Sequence, residues 1–325
     1  MFPSSTSGSR NRRARRQAVG DTALVSSRGT RAQAVPTLQV LGGVVSVQFG
    51  AGFAGRLFEH VAPGGAVFLR LSIAALILVV LVRPRVRAWN TRQRRGVVAL
   101  GIALAVMNGA FYEALARLPL GTAVTIEFLG PLVLAASLAR RWWDGVWVLA
   151  ALGGVSLLGV YGDHADGAWD WVGVACALVA AAAWAGYIVA GSNIAATLPS
   201  SDGLAGASVV AAVLTAPFGL AAGGDDLLDP TVLALGALAA LLSSVIPYSL
   251  ELRALRVLHK KVFAVLIALD PAVAALAGAV VLGQTLAAGA LVAIALVVCA
   301  GVGSVLTDRG ASARPPGDGG RADGG

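Results

Sequence analysis

The chain has 325 residues, of which 57% are hydrophobic and only 13% are charged. Soluble domains carry roughly 25% charged residues, so this composition excludes an ordinary soluble protein and indicates a membrane protein. The formal net charge is +8, but the basic residues lie in the tails and in short connections between apolar runs, which is the pattern of membrane topology and argues against a nucleic-acid site.

The two ends of the chain are polar. Residues 1–35 contain seven arginines and are rich in serine and glycine, so they are too polar to build a core and are predicted to form a disordered cytoplasmic tail. An arginine-rich, acid-poor start is also typical of a transit peptide, but no amphipathic period accompanies it here. Residues 307–325, rich in glycine, proline, arginine and aspartate, are predicted to be a second disordered cytoplasmic tail.

Between the tails, the chain contains ten apolar runs of about the length that crosses the hydrocarbon core of a bilayer as a helix. The predicted fold is therefore all-α and polytopic, with ten transmembrane helices. The predicted spans are 36–57, 65–82, 97–115, 121–139, 145–161, 172–192, 204–221, 231–250, 262–282 and 286–306.

The basic residues predict the orientation of these spans. With the amino terminus in the cytoplasm, 22 of the 25 lysines and arginines lie on the cytoplasmic side. The connections 162–171 and 222–230, on the opposite side, contain acidic residues and no basic residue. Because the bias of basic residues in short loops sets orientation, the protein is predicted to be a multi-pass membrane protein with both termini in the cytoplasm.

The ten spans divide into two halves of five, 36–161 and 172–306. With an odd number of spans per half, the second half enters the membrane upside down, as in secondary transporters that hold substrate near the midplane between inverted repeats. An ungapped alignment of 113–136 on 253–276 matches Pro131 with Pro271 and gives a few further identities. In a chain this rich in alanine and leucine, two unrelated hairpins of similar composition remain an alternative.

Glu127 lies inside the fourth span, ~9 Å from its outer end at ~1.5 Å per residue. An acid at that depth costs at least ~2.5 kcal/mol, which makes it a candidate functional residue. Pro131, four residues later on the same face, crowds the backbone carbonyl of Glu127 and cannot donate to it. This turn suits a proton, a cation or a substrate ammonium group, and the alternative is a neutral carboxyl group hydrogen-bonded in helix packing.

Asp270 precedes Pro271 roughly 13 Å into the ninth span, near the midplane, and is the second candidate for proton coupling. The alternative is local, because an aspartate can bond to the neighbouring backbone that a proline frees. Pro131 and Pro271 are predicted to have structural roles.

Helical spacing places further polar and aromatic side chains on common faces. The candidate substrate-binding residues on these faces are Asn108 and Tyr112 in span 3, Trp184 and Tyr187 in span 6, and Tyr248, with Ser244 and Glu251, in span 8. Gln48 in span 1 is a further candidate. Arg70, near the outer end of span 2, is interpreted as reaching the interface, with a counter-charge role for an anionic substrate group as the alternative.

Other chemistry is missing from the sequence. It contains no Walker motif, no HExxH or other metal-ligand spacing and no GxSxG nucleophile turn. No metal, no cofactor and no enzymatic activity are therefore predicted.

Three runs carry a resemblance to a known family. They are LPLGTAVTIEFLGPL at 118–132, IPYSLELRALRVL at 246–258 and ALDPAVAALAGAVVLGQTL at 268–286. These runs resemble the drug/metabolite transporter superfamily, and more narrowly the EamA-type threonine/homoserine exporters of the bacterial inner membrane. Gln284 stands where many members of this superfamily carry glutamate, so this chain departs from the family pattern at that position.

The resemblance implies ten helices in two inverted five-helix repeats, a central cavity, and export of small neutral amino acids driven by the proton gradient. Glu127 would contact the substrate ammonium group or carry the exchanged proton, and Asn108, Tyr112 and Tyr248 would contact the carboxylate. The implied partners are the amino acid, protons and the bilayer, with a homodimer as one arrangement. A drug or general metabolite carrier is the alternative, and a membrane-embedded enzyme or sensor is the alternative of another class.

Overall fold

The computed structural model describes residues 35–138, 142–161, 170–247, 250, 265–285 and 287–307. These residues are helical and contain no strand, which confirms the all-α prediction for the described part of the chain. Eight helices are long and apolar enough to cross a membrane, and two further apolar helices, Gly145–Leu158 and Pro230–Val245, are shorter. Residues 1–34 and 308–325 of the predicted tails, and the predicted site residue Tyr248, lie outside the described residues.

The helical segments are numbered here in chain order. They are α1 Val35–Glu59, α2 Pro63–Val82, α3 Thr91–Leu115, α4 Leu120–Ser137, α5 Trp142–Tyr161, α6 Trp171–Ala195, α7 Ser200–Gly223, α8 Pro230–Val245, α9 Val265–Leu282 and α10 Ala288–Thr307.

Several helices begin where a polar side chain satisfies their first backbone N–H groups. Asn90 and Gln93 form a reciprocal capping box at the start of α3, with both hydrogen bonds at 2.9 Å. Asp170 accepts from the backbone N–H of Gly173 at the start of α6, and Asp229 accepts from the N–H groups at the start of α8. The helix starts are therefore encoded locally, in the polar connections between apolar runs.

Large apolar side chains cover the outside of the bundle. Leu76, Val80 and Phe218 are examples that are more than half exposed. A soluble protein does not expose apolar surface on this scale, whereas the hydrocarbon core of a bilayer covers it without cost. The exposed surface therefore agrees with the membrane composition of the sequence.

The helices pack in a regular set of pairs. α2 packs against α7, α4 against α9, and α5 against α10. α3 packs against both α6 and α7, α4 also packs against α6, and α2 also packs against α8. α1 contacts α8 at Gly50 and α9 at Gly52. Helices from the two halves of the sequence are thus interleaved in one bundle.

Glycines allow some of these helices to approach closely. A Cβ atom on Gly130 of α4 would overlap the backbone carbonyl oxygen of Ala181 in α6. A Cβ atom on Gly121, also in α4, would lie 2.9 Å from the Cα atom of Ala275 in α9. Small residues at such crossings let helix backbones touch, which is how apolar helices gain packing energy within lipid.

Two helices are interrupted. In α4, Phe128 separates the segment Leu120–Glu127 from the one that begins at Leu129. α9 has a turn at residues 268–269, directly before Asp270 and Pro271. The break in α4 lies at the middle of the helix and the break in α9 lies near its first described residues, and each has a candidate acid beside it.

Candidate functional site

A cavity of about 520 Å³ lies at the centre of the bundle, among α1, α2, α3, α4, α6, α7, α8 and α9. It brings together the candidate residues that the sequence analysis placed on separate helices. The candidates that line it are Gln48, Asn108, Tyr112, Glu127, Trp184, Tyr187 and Asp270, together with Ser244 and Pro131. Pro271 is fully buried directly behind Asp270.

Two carboxylates face the cavity from the two interrupted helices. Glu127 is half-buried at the break in α4, and Asp270 is buried at the break in α9. The Nε2 amide of Gln48 in α1 donates a hydrogen bond of 3.2 Å to Oδ1 of Asp270. Asp270 and Glu127 both line this cavity, although they come from different halves of the sequence. The cavity therefore holds two acids, of which Asp270 has an amide partner.

Arg70 is a cavity residue that the sequence interpretation placed wrongly. It was expected to reach the membrane interface, but it is only 7% exposed and lines the cavity from α2. Arg70 is the eighth residue of a helix that begins at Pro63, so it lies ~10 Å along the span. At this depth its guanidinium does not reach the water at the membrane surface. The sequence signal that favoured the counter-charge alternative was a cation placed inside an apolar run.

Neutral side chains from two other helices hold the Arg70 guanidinium. Its Nη1 donates to Oγ of Ser243 in α8 at 2.7 Å, and its Nη2 donates to Oδ1 of Asn108 in α3. Its Cζ also lies 5.2 Å from the centre of the Tyr112 ring, a cation–π distance. The sequence analysis did not single out Ser243, because a serine in an apolar span carries no signal that distinguishes packing from function.

Aromatic side chains form the apolar wall of the cavity. The ring of Trp184 in α6 makes an edge contact with Phe128 at 6.2 Å between centroids, directly at the break in α4. The ring of Tyr112 makes edge contacts with Phe58 and Phe111. These contacts keep the rings in place beside the polar groups, so the cavity has rigid apolar sides.

Three buried polar atoms around the cavity have no hydrogen-bond partner among the described residues: Oε1 of Gln48, Nε of Arg70 and the hydroxyl of Tyr112. A buried donor or acceptor without a partner costs about 1–3 kcal/mol, so such groups are rare unless a ligand or water completes them. The set contains two donors on the Arg70 side and one acceptor on the Asp270 side. The cavity therefore has two regions of opposite polarity.

The described residues contain no cluster of histidine, cysteine, aspartate and glutamate that could hold a metal ion. The described residues that line the cavity contribute one guanidinium, two carboxyl groups, amides and hydroxyls. This set suits a small molecule with both a positive and a negative group.

Comparison with known proteins identifies relatives of this chain. The sequence pattern described as the EamA-like transporter family matches residues 171–306. The threonine/homoserine exporter RhtA of Escherichia coli (strain K12) is 37% identical over 275 residues, which cover 85% of this chain and 92% of that protein. The threonine/homoserine exporter RhtA of Salmonella typhimurium (strain LT2) is equally similar, at 37% over 275 residues with the same coverage.

Solved structures share the fold. A protein crystal structure aligns with a TM-score of 0.54 at 21% identity, covering 85% of this chain and 96% of that chain. At this identity the likeness concerns the fold alone. The arrangement of helices described above is therefore one that other proteins adopt.

Proposed function

Because this chain belongs to the EamA-like transporter family, we propose that it exports small neutral amino acids of the threonine and homoserine class across a bacterial inner membrane, in exchange for protons. One observation carries the proposal. The central cavity combines a buried cation, Arg70, with two carboxyl groups, Glu127 and Asp270, inside an otherwise apolar bundle. A zwitterion needs both charges, whereas a hydrophobic cation needs only the acids.

The proposed architecture is ten transmembrane helices in two inverted repeats of five, with both termini in the cytoplasm. The helix pairs support it, because each pair named under the fold is converted into itself or into another named pair when five is added to the helix numbers of the first half and subtracted from those of the second. The pair α3 and α6 becomes α8 and α1, and the pair α4 and α6 becomes α9 and α1. The interrupted helices α4 and α9 also exchange, and their breaks at Phe128 and at residues 268–269 lie at matching distances from Pro131 and Pro271.

Proton exchange is proposed to act through Glu127, with Asp270 as the second candidate. Glu127 would bind the substrate ammonium group when ionised and would carry a proton on the return step. A substrate ammonium group would bind the ionised form of Glu127, whereas a bound proton would remove the charge that attracts the ammonium group. Substrate and proton would therefore compete for one carboxyl group, which is the requirement for antiport. Rocking of the two halves about the cavity would expose it to each side in turn.

The test is counterflow in proteoliposomes with a panel of labelled amino acids, with and without a pH gradient. We expect threonine and homoserine to exchange, and an imposed pH gradient to drive their net accumulation. If amino-acid exchange is unaffected by the pH gradient and by a protonophore, proton antiport is contradicted. The proposal that the substrate is a small amino acid would still stand. Competition by hydrophobic cations, with none by threonine, would instead indicate a drug carrier.

A further inference from the structure

Within the part of the chain that the structure describes, no carboxylate contacts Arg70 directly. None of the ion pairs within 4.0 Å between described residues includes Arg70. Its two side-chain hydrogen bonds go to Ser243 and Asn108, which are both neutral. A buried cation with only neutral partners is unfavourable, because loss of hydration is not balanced by an opposite charge at contact distance. The site is therefore set up to receive an anionic group.

The partners of Arg70 are themselves held in place. Asn108 donates from Nδ2 to the carbonyl oxygen of Leu104 at 2.8 Å, which directs its own oxygen toward Arg70. Ser243 donates to the carbonyl oxygen of Ala239 at 2.6 Å, which leaves its oxygen to accept from Arg70. Ser243 has used its only donor and Asn108 one of its two, and the side-chain oxygens of both accept from Arg70, so these neighbours position the guanidinium.

The free donors lie together on this side of the cavity. Nε of Arg70 and the hydroxyl of Tyr112 are buried and make no hydrogen bond within the described residues. The ring of Tyr112 also lies against the guanidinium. A guanidinium edge that presents Nε–H beside an Nη hydrogen matches the two oxygens of a carboxylate.

We propose that Arg70, assisted by the Tyr112 hydroxyl, binds the α-carboxylate of the transported amino acid, and that Asn108 and Ser243 position Arg70. This inference rests on the proposed function and assigns one half of its substrate site. The opposite half contains Glu127, Asp270 and the free Oε1 of Gln48, which all accept hydrogen bonds and suit an ammonium group. Arg70 then distinguishes amino acids from amines of the same size.

The test compares L-threonine with L-threoninol, in which a CH2OH group replaces the carboxylate. Binding of each compound is measured on the purified protein by competition with labelled threonine, and transport is measured by counterflow. For the wild type, we expect threonine to bind at least ~10-fold more tightly than threoninol, as for a charged hydrogen-bonded group. In Arg70→Gln, threonine affinity should fall by about that factor and threoninol affinity should stay within about twofold, so that the preference for the carboxylate disappears.

Two further variants separate recognition from structure. Arg70→Lys keeps the charge but removes Nε–H and the planar fork, so we expect it to recover only part of the preference for threonine. Tyr112→Phe removes an unpaired hydroxyl, so it should fold normally and lower threonine affinity ~3-fold without changing that of threoninol. Arg92→Gln is the matched control, because Arg92 is an exposed arginine at the start of α3 and lies outside the cavity.

Each outcome decides the proposal. An unchanged ratio of threonine to threoninol affinity in Arg70→Gln, or an equal loss for both compounds, would show that Arg70 only balances the nearby acids and would overturn the inference while leaving the proposed function intact. If Arg70→Gln does not fold, an unchanged ratio in Tyr112→Phe and Arg70→Lys overturns the inference, and a reduced ratio supports it. A wild type that binds no amino acid of the panel overturns the proposed function together with the inference.

Discussion

The side-chain amide of Gln48 donates a hydrogen bond of 3.2 Å to the carboxylate of Asp270, although the two residues lie 222 positions apart in the chain. The bond joins α1 of the first half to the interrupted helix α9 of the second half, at the edge of the central cavity. It is thus one of the polar contacts that hold the two halves together in this conformation.

The bond between Gln48 and Asp270 is expected to contribute measurably to stability. Gln48→Leu leaves the buried Oδ1 of Asp270 without this donor, and the loss of one partner of a buried hydrogen bond costs about 1–3 kcal/mol, so the free energy of unfolding should fall by roughly that amount. The measurement is a double-mutant cycle of Gln48→Leu and Asp270→Asn, in which the free energy of unfolding of each protein is measured by denaturant unfolding in detergent. Additive effects of the two substitutions would contradict an energetic link between these side chains.

Glu127→Gln is expected to abolish proton-coupled export while the protein still folds. The glutamine keeps the size of the side chain but can neither bind a proton at this position nor match an ammonium charge. Export of threonine driven by a pH gradient should fall at least ~10-fold, which corresponds to ~1.4 kcal/mol in the transport barrier.

The matched control for that experiment is Glu113→Gln. Glu113 is also an acid, but it lies at the end of α3 with its side chain 42% exposed and 3.8 Å from Arg117. A surface pair of this kind contributes little, so this variant should export as the wild type does. Wild-type export by Glu127→Gln would remove Glu127 from the mechanism.

Gly130→Ala is expected to disrupt the packing of α4 on α6. The added methyl group would overlap the carbonyl oxygen of Ala181, and backbone atoms cannot rotate aside as a side chain can. Overpacking costs about 1–3 kcal/mol or more, so the variant should give a lower melting temperature and a smaller yield of folded protein.

Gly153→Ala in α5 provides the comparison, since a Cβ atom at Gly153 meets nothing within 4 Å. The melting temperature of this variant should equal or slightly exceed that of the wild type, because alanine favours a helix more than glycine does. Equal effects of the two substitutions would contradict the close crossing at Gly130.

Gln284 is expected to stabilise the start of α4, because its side chain accepts a hydrogen bond from a backbone N–H group that no neighbouring capping residue satisfies. Its Oε1 accepts from the backbone N–H of Leu120 at 3.0 Å, whereas the preceding residue, Pro119, supplies no side-chain hydrogen bond. Gln284→Ala leaves that N–H without its partner and should cost about 1–3 kcal/mol in unfolding free energy.

Gln284→Glu should behave differently. A carboxylate accepts the same hydrogen bond and adds a favourable charge at the positive end of the helix, worth ~0.3–1 kcal/mol. In detergent at neutral pH, the melting temperature of Gln284→Glu should therefore equal or exceed that of the wild type, and the melting temperature of Gln284→Ala should be lower. A glutamate variant as unstable as the alanine variant would show that the amide is needed for another contact.

The helices and the candidate residues were predictable from the sequence to different extents. The long apolar helices follow from runs of consecutive apolar residues, and the starts of α3 and α6 follow from the capping residues Asn90 and Asp170. These are local properties of the sequence, so they can be predicted without knowledge of the fold. Residues such as Gln48, Glu127 and Asp270 were recognisable because a polar group within an apolar span is costly and is retained for a reason.

Whether a side chain points toward lipid or toward the protein interior was harder to predict from the sequence than the position of the helices. In water, an apolar stripe marks the buried face of a helix, but in a bilayer both the lipid and the protein interior are apolar, so this contrast is weak. Arg70 illustrates the problem: from the sequence, its guanidinium was expected at the interface, and the structure places it against Tyr112 inside the cavity. Ser243 had no signal at all.

The order of the amino acids by itself therefore determined that this is a helical membrane protein with acids inside its spans, because hydrophobic length and the cost of a buried charge are properties of single segments. Only the tertiary structure decided that Arg70, Asn108 and Ser243 meet, since that depends on how three helices distant in the chain are rotated about their axes and packed together.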